Sequence, residues 1–146
     1  MQPASLRAVR RRRITMAIAA IALAACSGPP DKQAKQGLES LHSWAQSANM
    51  VGEEWLRGAV PDAYARTALQ SFAKKAKKEQ KQALSGKLPA ATRQFLVEGF
   101  GAVILAADSL RSAVDRRDRH GTVTIMGALA ARARAADSVK RQLEAR

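Results

Sequence analysis

The chain is poor in the residue types from which most reactive sites are built. Its 146 residues include one cysteine, two histidines and six aromatics, and its 12 Asp+Glu are outnumbered by 25 Lys+Arg. A single cysteine excludes an intramolecular disulfide framework and a cysteine-rich zinc site, and the missing Cys-x-x-Cys-His excludes covalent haem attachment. Glu39-x-x-His42 has the form of one ligand pair in a di-iron helical bundle, but such a site needs a second copy of the motif. The other histidine, His120, has Arg117 three residues before it, so the second pair is missing. There is no glycine-rich phosphate loop, no nucleophile elbow and no paired catalytic carboxylate. These absences point to a protein that is not an enzyme and needs no cofactor or metal.

What is present begins with the leader. Residues 1–13 carry Arg7 and the run Arg10-Arg11-Arg12-Arg13 without an acid, and residues 14–25, ITMAIAAIALAA, carry no charge. A basic start followed by a short apolar run is the pattern of a secretory signal. Twelve residues rise only about 18 Å as a helix, well short of the ~30 Å hydrocarbon core, so a permanent span is not expected. The run ends in Leu23-Ala24-Ala25-Cys26. This resembles the lipobox of bacterial lipoproteins, with leucine at −3, small residues at −2 and −1, and then the cysteine. The resemblance covers residues 1–25 and Cys26 alone. It implies cleavage after Ala25, a diacylglyceryl thioether on Cys26 and acylation of the new amino terminus. Two or more acyl chains anchor stably where one binds reversibly. Ser27 follows the cysteine where an aspartate would resemble an inner-membrane retention signal. By that analogy the protein is expected in the cell envelope, on the periplasmic side of the outer membrane. Loss of residues 1–25 removes five arginines and no acid, so residues 26–146 hold 20 Lys+Arg against 12 Asp+Glu, a formal charge of +8. With Cys26 lipidated the mature chain has no thiol, which suits an oxidising compartment.

Residues 27–31, Ser-Gly-Pro-Pro-Asp, read as a short linker. From there the apolar residues recur at steps of three and four, which places them along one helical face. The first helix, about 32–57, carries Leu38, Leu41, Ala45, Ala48, Gly52 and Trp55, and the stripe continues to Ala59. The second, about 61–84, is the most polar, with Ala65, Leu69, Phe72, Ala76 and Ala83 inside. The third, about 89–117, carries Leu96, Phe100, Val103, Ala107, Leu110 and Val114. The fourth, about 121–144, carries Ile125, Met126, Leu129, Ala133, Ala136, Val139 and Leu143. Gly58-Ala59-Val60-Pro61 and Gly86-Lys87-Leu88-Pro89 mark two breaks of one form: a glycine to close a helix, an apolar residue, and a proline suited to the next first turn. The third break, in Asp115–Gly121, is polar and ends in glycine, and a continuous helix through it stays open. No period-2 strand is present. The expected fold is all-α, an antiparallel up-down-up-down four-helix bundle with helices of about 37 Å.

Two groups of residues carry the functional expectations. Lys74, Lys77, Lys78 and Lys81 follow i, i+3, i+4, i+7 and form one ridge with Lys75 beside it, opposite the inner face of the second helix. As a plain solvated face the ridge keeps a small bundle soluble. As a contact surface it suits an anionic partner: lipid headgroups, lipopolysaccharide, cell-wall polymer or an acidic envelope protein. Nucleic acid is not expected of an exported chain without interleaved aromatics. His42, Trp44 and Trp55 form the second group. The two tryptophans, three turns apart, read chiefly as core residues, with a ligand pocket beside His42 as the alternative. The leading expectation is a membrane-anchored envelope lipoprotein whose helical domain is a non-enzymatic interaction or structural module. A periplasmic small-molecule or metal-binding bundle is the alternative.

Overall fold

The computed structural model describes residues 29–145. The leader and Cys26 lie outside the described residues. Four α-helices run through the described chain: α1 Pro30–Leu56, α2 Asp62–Ser85, α3 Ala90–Arg116 and α4 Arg119–Glu144, with no strand among the described residues. The fold is the antiparallel four-helix bundle read from the periodicity. α1 starts earlier than the linker reading placed it. Pro30 and Asp31 lie in its first turn, where proline lacks only an N–H that would be unpaired anyway and an acid complements the helix dipole.

The two glycine-proline breaks look alike in sequence but close differently. Gly58 has φ +73°; its N–H bonds the Trp55 carbonyl at 2.9 Å, and the Ala59 N–H bonds Glu54 at 2.8 Å. This is the paired closure that a left-handed residue makes possible. Gly86 instead is extended, with φ −74° and ψ 159°. There the Ser85 hydroxyl bonds the Lys81 carbonyl, and the Arg93 guanidinium donates to the carbonyls of Gly86 and Leu88 at 3.4 and 3.0 Å. The third break is real and lies ahead of Gly121. Arg117 takes the left-handed conformation, φ 53°, and the Arg117 and Asp118 N–H groups bond Val114 and Ala113. Asp118 then caps α4, its Oδ1 accepting from the Gly121 N–H at 2.8 Å. Gly121 therefore belongs to the first turn of α4 and breaks nothing.

The bundle is flattened. α2 packs most extensively on α3 and α1 on α4; α1 also meets α3 across the diagonal, while α2 and α4 do not touch. Two glycines on the short diagonal permit this. A Cβ on Gly99 would stand 2.5 Å from Leu41 Cδ2, and one on Gly37 would stand 2.6 Å from Leu96 Cδ1. α1 and α3 thus have three neighbours each and are the most buried helices, with the expected stripes of α3 and of α1 up to Trp55 buried. α2 and α4, with two neighbours, have narrower inner faces. Phe72, Ile125, Met126, Val139 and Leu143, all expected inside, are only partly buried against the core. Ala59, expected on the first stripe, lies exposed beyond the end of α1.

Candidate functional site

At 100° per residue, Lys74, Lys77, Lys78 and Lys81 lie within about 100° of arc on the back of α2, while Ala65, Leu69, Ala76 and Ala83 lie on the opposite side. All five lysines are exposed, and none makes an ion pair among the described residues. Lys75, at the edge of the ridge, sits over the Trp44 ring on α1, its Nζ 5.1 Å from the centroid, a cation–π contact worth about 0.5–1 kcal/mol at an exposed site.

The up-down topology adds what the ridge alone does not show. Cutting every helix at its midpoint separates residues 29–42, 74–103 and 132–145, which form the end where the chain enters α1, from residues 43–73 and 104–131, which form the other end. The entry half holds thirteen Lys and Arg and six Asp and Glu; the far half holds six of each. The entire formal excess of the described chain, +7, therefore sits in one half. In the far half four of the six cations are also paired with acids: Arg66 with Asp115 at 2.9 Å, Arg111 with Asp108 at 3.5 Å, Arg117 with Asp62 at 3.7 Å, and Arg57 with Glu54. In the entry half, Lys140 pairs with Glu39 at 2.7 Å and Arg141 with Asp137 at 2.8 Å. The Lys140 hydrogen bond and charge hold the Glu39 carboxyl below the ordinary glutamate value, and Glu39 in turn raises Lys140.

His42, Trp44 and Trp55 do not gather into a pocket. His42 faces α4, its Nδ1 3.0 Å from the Ala133 carbonyl; a carbonyl only accepts, so Nδ1 carries the proton. Trp44, two residues on, points toward α2, where it packs on Phe72 with centroids 5.8 Å apart. Two residues on a helix are about 200° apart, so the pair occupies opposite flanks of α1. Trp55 is buried, and its indole N–H donates to Asp62 Oδ1 at 2.8 Å across the first break. Among the described residues, no three His, Cys, Asp or Glu side chains gather in a group that could hold a metal ion.

A concavity of about 490 Å³ lies elsewhere, at the entry end between α1 and α2. Trp44 packs on Phe72 between the two helices; farther toward this end Gly37 and Ala83 line the cleft, with Leu96 and Phe100 of α3 beneath it. A smaller concavity of about 270 Å³, lined by Trp55, Asp62, Arg117 and Arg119, lies at the opposite end. No protein-family model matches the chain, and no curated protein or solved structure is detectably similar to it.

Proposed function

We propose that the protein is an envelope lipoprotein, tethered through Cys26, whose helical domain is a non-enzymatic module that rests its basic half on an anionic surface. The observation that carries this reading is the charge placement. The half with the whole excess charge is the half through which the chain arrives from Cys26. Pro30 is the fourth residue after Cys26, and an extended chain spans at most about 3.6 Å per residue, so a lipid on Cys26 keeps the start of α1 within about 14 Å of the bilayer. That is comparable to the Debye length of about 8–10 Å, over which surface lysines feel an anionic bilayer. Each lysine near the headgroups contributes about 1 kcal/mol. Among the described residues, Lys74, Lys75, Lys77, Lys78 and Lys81 have no acid partner to give up on arrival. Lipopolysaccharide and acidic cell-wall polymer carry the same kind of charge as anionic lipid.

The test uses the mature chain with Cys26→Ser, mixed with anionic and with zwitterionic phospholipid vesicles. The unlipidated chain should bind the anionic vesicles alone and release them as salt rises. Replacing Lys74, Lys77, Lys78 and Lys81 with Gln should weaken binding by up to about 10³-fold at low salt, from four contributions of about 1 kcal/mol. The helical circular dichroism should not change. Equal binding to both vesicle types, or equal binding by the variant, refutes the reading.

A further inference from the structure

The cleft at the entry end has the construction of a ligand site, and its lining specifies a chemistry. Its long edges are α1, with Gln33, Gln36 and Ser40, and α2, with Glu79 and Gln82, and Lys87 follows on the connecting loop. Among the described residues, the side chains of Gln33, Gln36, Ser40, Glu79 and Gln82 make no hydrogen bond to protein, and Glu79 and Lys87 no ion pair. Polar side chains with no protein partner along a cleft are available to a bound ligand. The floor itself shows little apolar surface, since Leu96 and Phe100 are each only 1% exposed. An acyl chain would gain little from those two side chains, and recognition of a polar ligand rests on the rim.

The rim has a direction. Gln33 lies level with Gly86, the Gln33 Oε1 being 3.6 Å from the position a Cβ on Gly86 would take. From that level Ser40 is seven residues along α1 and Glu79 seven residues back along α2, about 10 Å in each case at 1.5 Å per residue. Glu79 and Ser40 therefore line one end of the cleft, and Lys87 the other. Gln36 and Gln82 lie between them, and Gln33 lies at the Lys87 end. A carboxamide presents an acceptor and a donor side by side, the complement of a peptide group. An extended peptide of three residues spans about 10 Å. From this match of length, charge and hydrogen-bonding groups we infer that the cleft binds a short extended peptide, its free ammonium at Glu79 and Ser40 and its free carboxylate at Lys87. Arg93 is a positioning residue: its guanidinium holds the Gly86 and Leu88 carbonyls on either side of Lys87. This inference is independent of the state of Cys26, so its failure and that of the tethering proposal are separable.

The experiment titrates the full-length chain in detergent with trialanine, with N-acetyl-trialanine and with trialanine amide. It follows the side-chain carboxamide resonances of Gln33, Gln36 and Gln82 by NMR. Trialanine should bind saturably and move all three. Blocking either terminus should cost about ten- to a hundredfold, the range for loss of one charge-assisted hydrogen bond. Glu79→Gln should abolish the discrimination against the acetylated peptide alone, and Lys87→Gln the discrimination against the amide alone. These surface substitutions leave the core intact, which keeps the result interpretable. Carboxamide resonances that trialanine does not move overturn the inference. So do equal affinity for the three peptides, or saturation of the cleft by a short-chain phosphatidylethanolamine or an N-acetylated sugar in preference to trialanine.

Discussion

One substitution made at two glycines tests the packing on which the cleft and the charged end depend. Gly99 and Gly127 both lie inside helices, so changing either to alanine gains about 0.8–1 kcal/mol of helix propensity. Their surroundings are opposite. A Cβ on Gly127 meets nothing within 4 Å, whereas one on Gly99 would stand 2.5 Å from Leu41 Cδ2, 3.2 Å from Cδ1 and 3.4 Å from Cγ. Leu41 is 0% exposed, so the whole side chain must move against packed neighbours, an overpacking cost of about 1–3 kcal/mol. Gly127→Ala is therefore expected to stabilise by about 1 kcal/mol. Gly99→Ala should be neutral to destabilising by about 2 kcal/mol, the overpacking cost less the propensity gain. Urea denaturation followed by circular dichroism reads both, and the difference between the two variants isolates the steric cost from propensity. Equal stabilisation by both would mean that α1 and α3 do not approach closely, and the flattened bundle would be refuted.

Three further outcomes follow from particular contacts. Asp118→Ala removes the cap on the Gly121 N–H and should cost about 0.5–2 kcal/mol, while Arg117→Gly relieves the left-handed residue beside it and should stabilise; both are read by thermal melting. Asp62→Ala leaves the buried Trp55 indole N–H without its acceptor, at a cost of about 1–3 kcal/mol, with a change in tryptophan fluorescence. The Glu39 carboxyl, followed by NMR, should titrate below the ordinary glutamate value and return toward it in Lys140→Met. The pair's contribution to stability is then lost at the two extremes. It disappears as pH falls through the depressed value of Glu39, and again as pH rises through the raised value of Lys140.

The helices were legible because burial on a helix repeats at three and four residues, and α3 shows this best: Leu96, Phe100, Val103, Ala107, Leu110 and Val114 are all buried. Periodicity does not reveal how many neighbours a helix has. Ile125 and Val139 look as internal as Leu129 in sequence, yet α4 has only two neighbours to bury them. The left-handed residue of the last break was missed because arginine stands where glycine is the usual choice. The lysine ridge was visible from its i, i+3, i+4, i+7 spacing. Its place at the entry end depends on which helix ends the topology brings together. The cleft left no local trace, since Gln33 to Ser40 of α1 and Glu79 to Ala83 of α2 are distant in the chain and meet only in the fold. His42 and Trp44 do not share a pocket because two positions along a helix are about 200° apart, on opposite flanks of α1.

The central claim is a covalent anchor at the basic end of the bundle, and intact-mass spectrometry of the protein extracted from cell envelopes tests it most directly. The predicted species begins at Cys26 and carries a diacylglyceryl group with an acylated amino terminus. A chain that retains Met1, or an unmodified thiol at Cys26, would contradict the account.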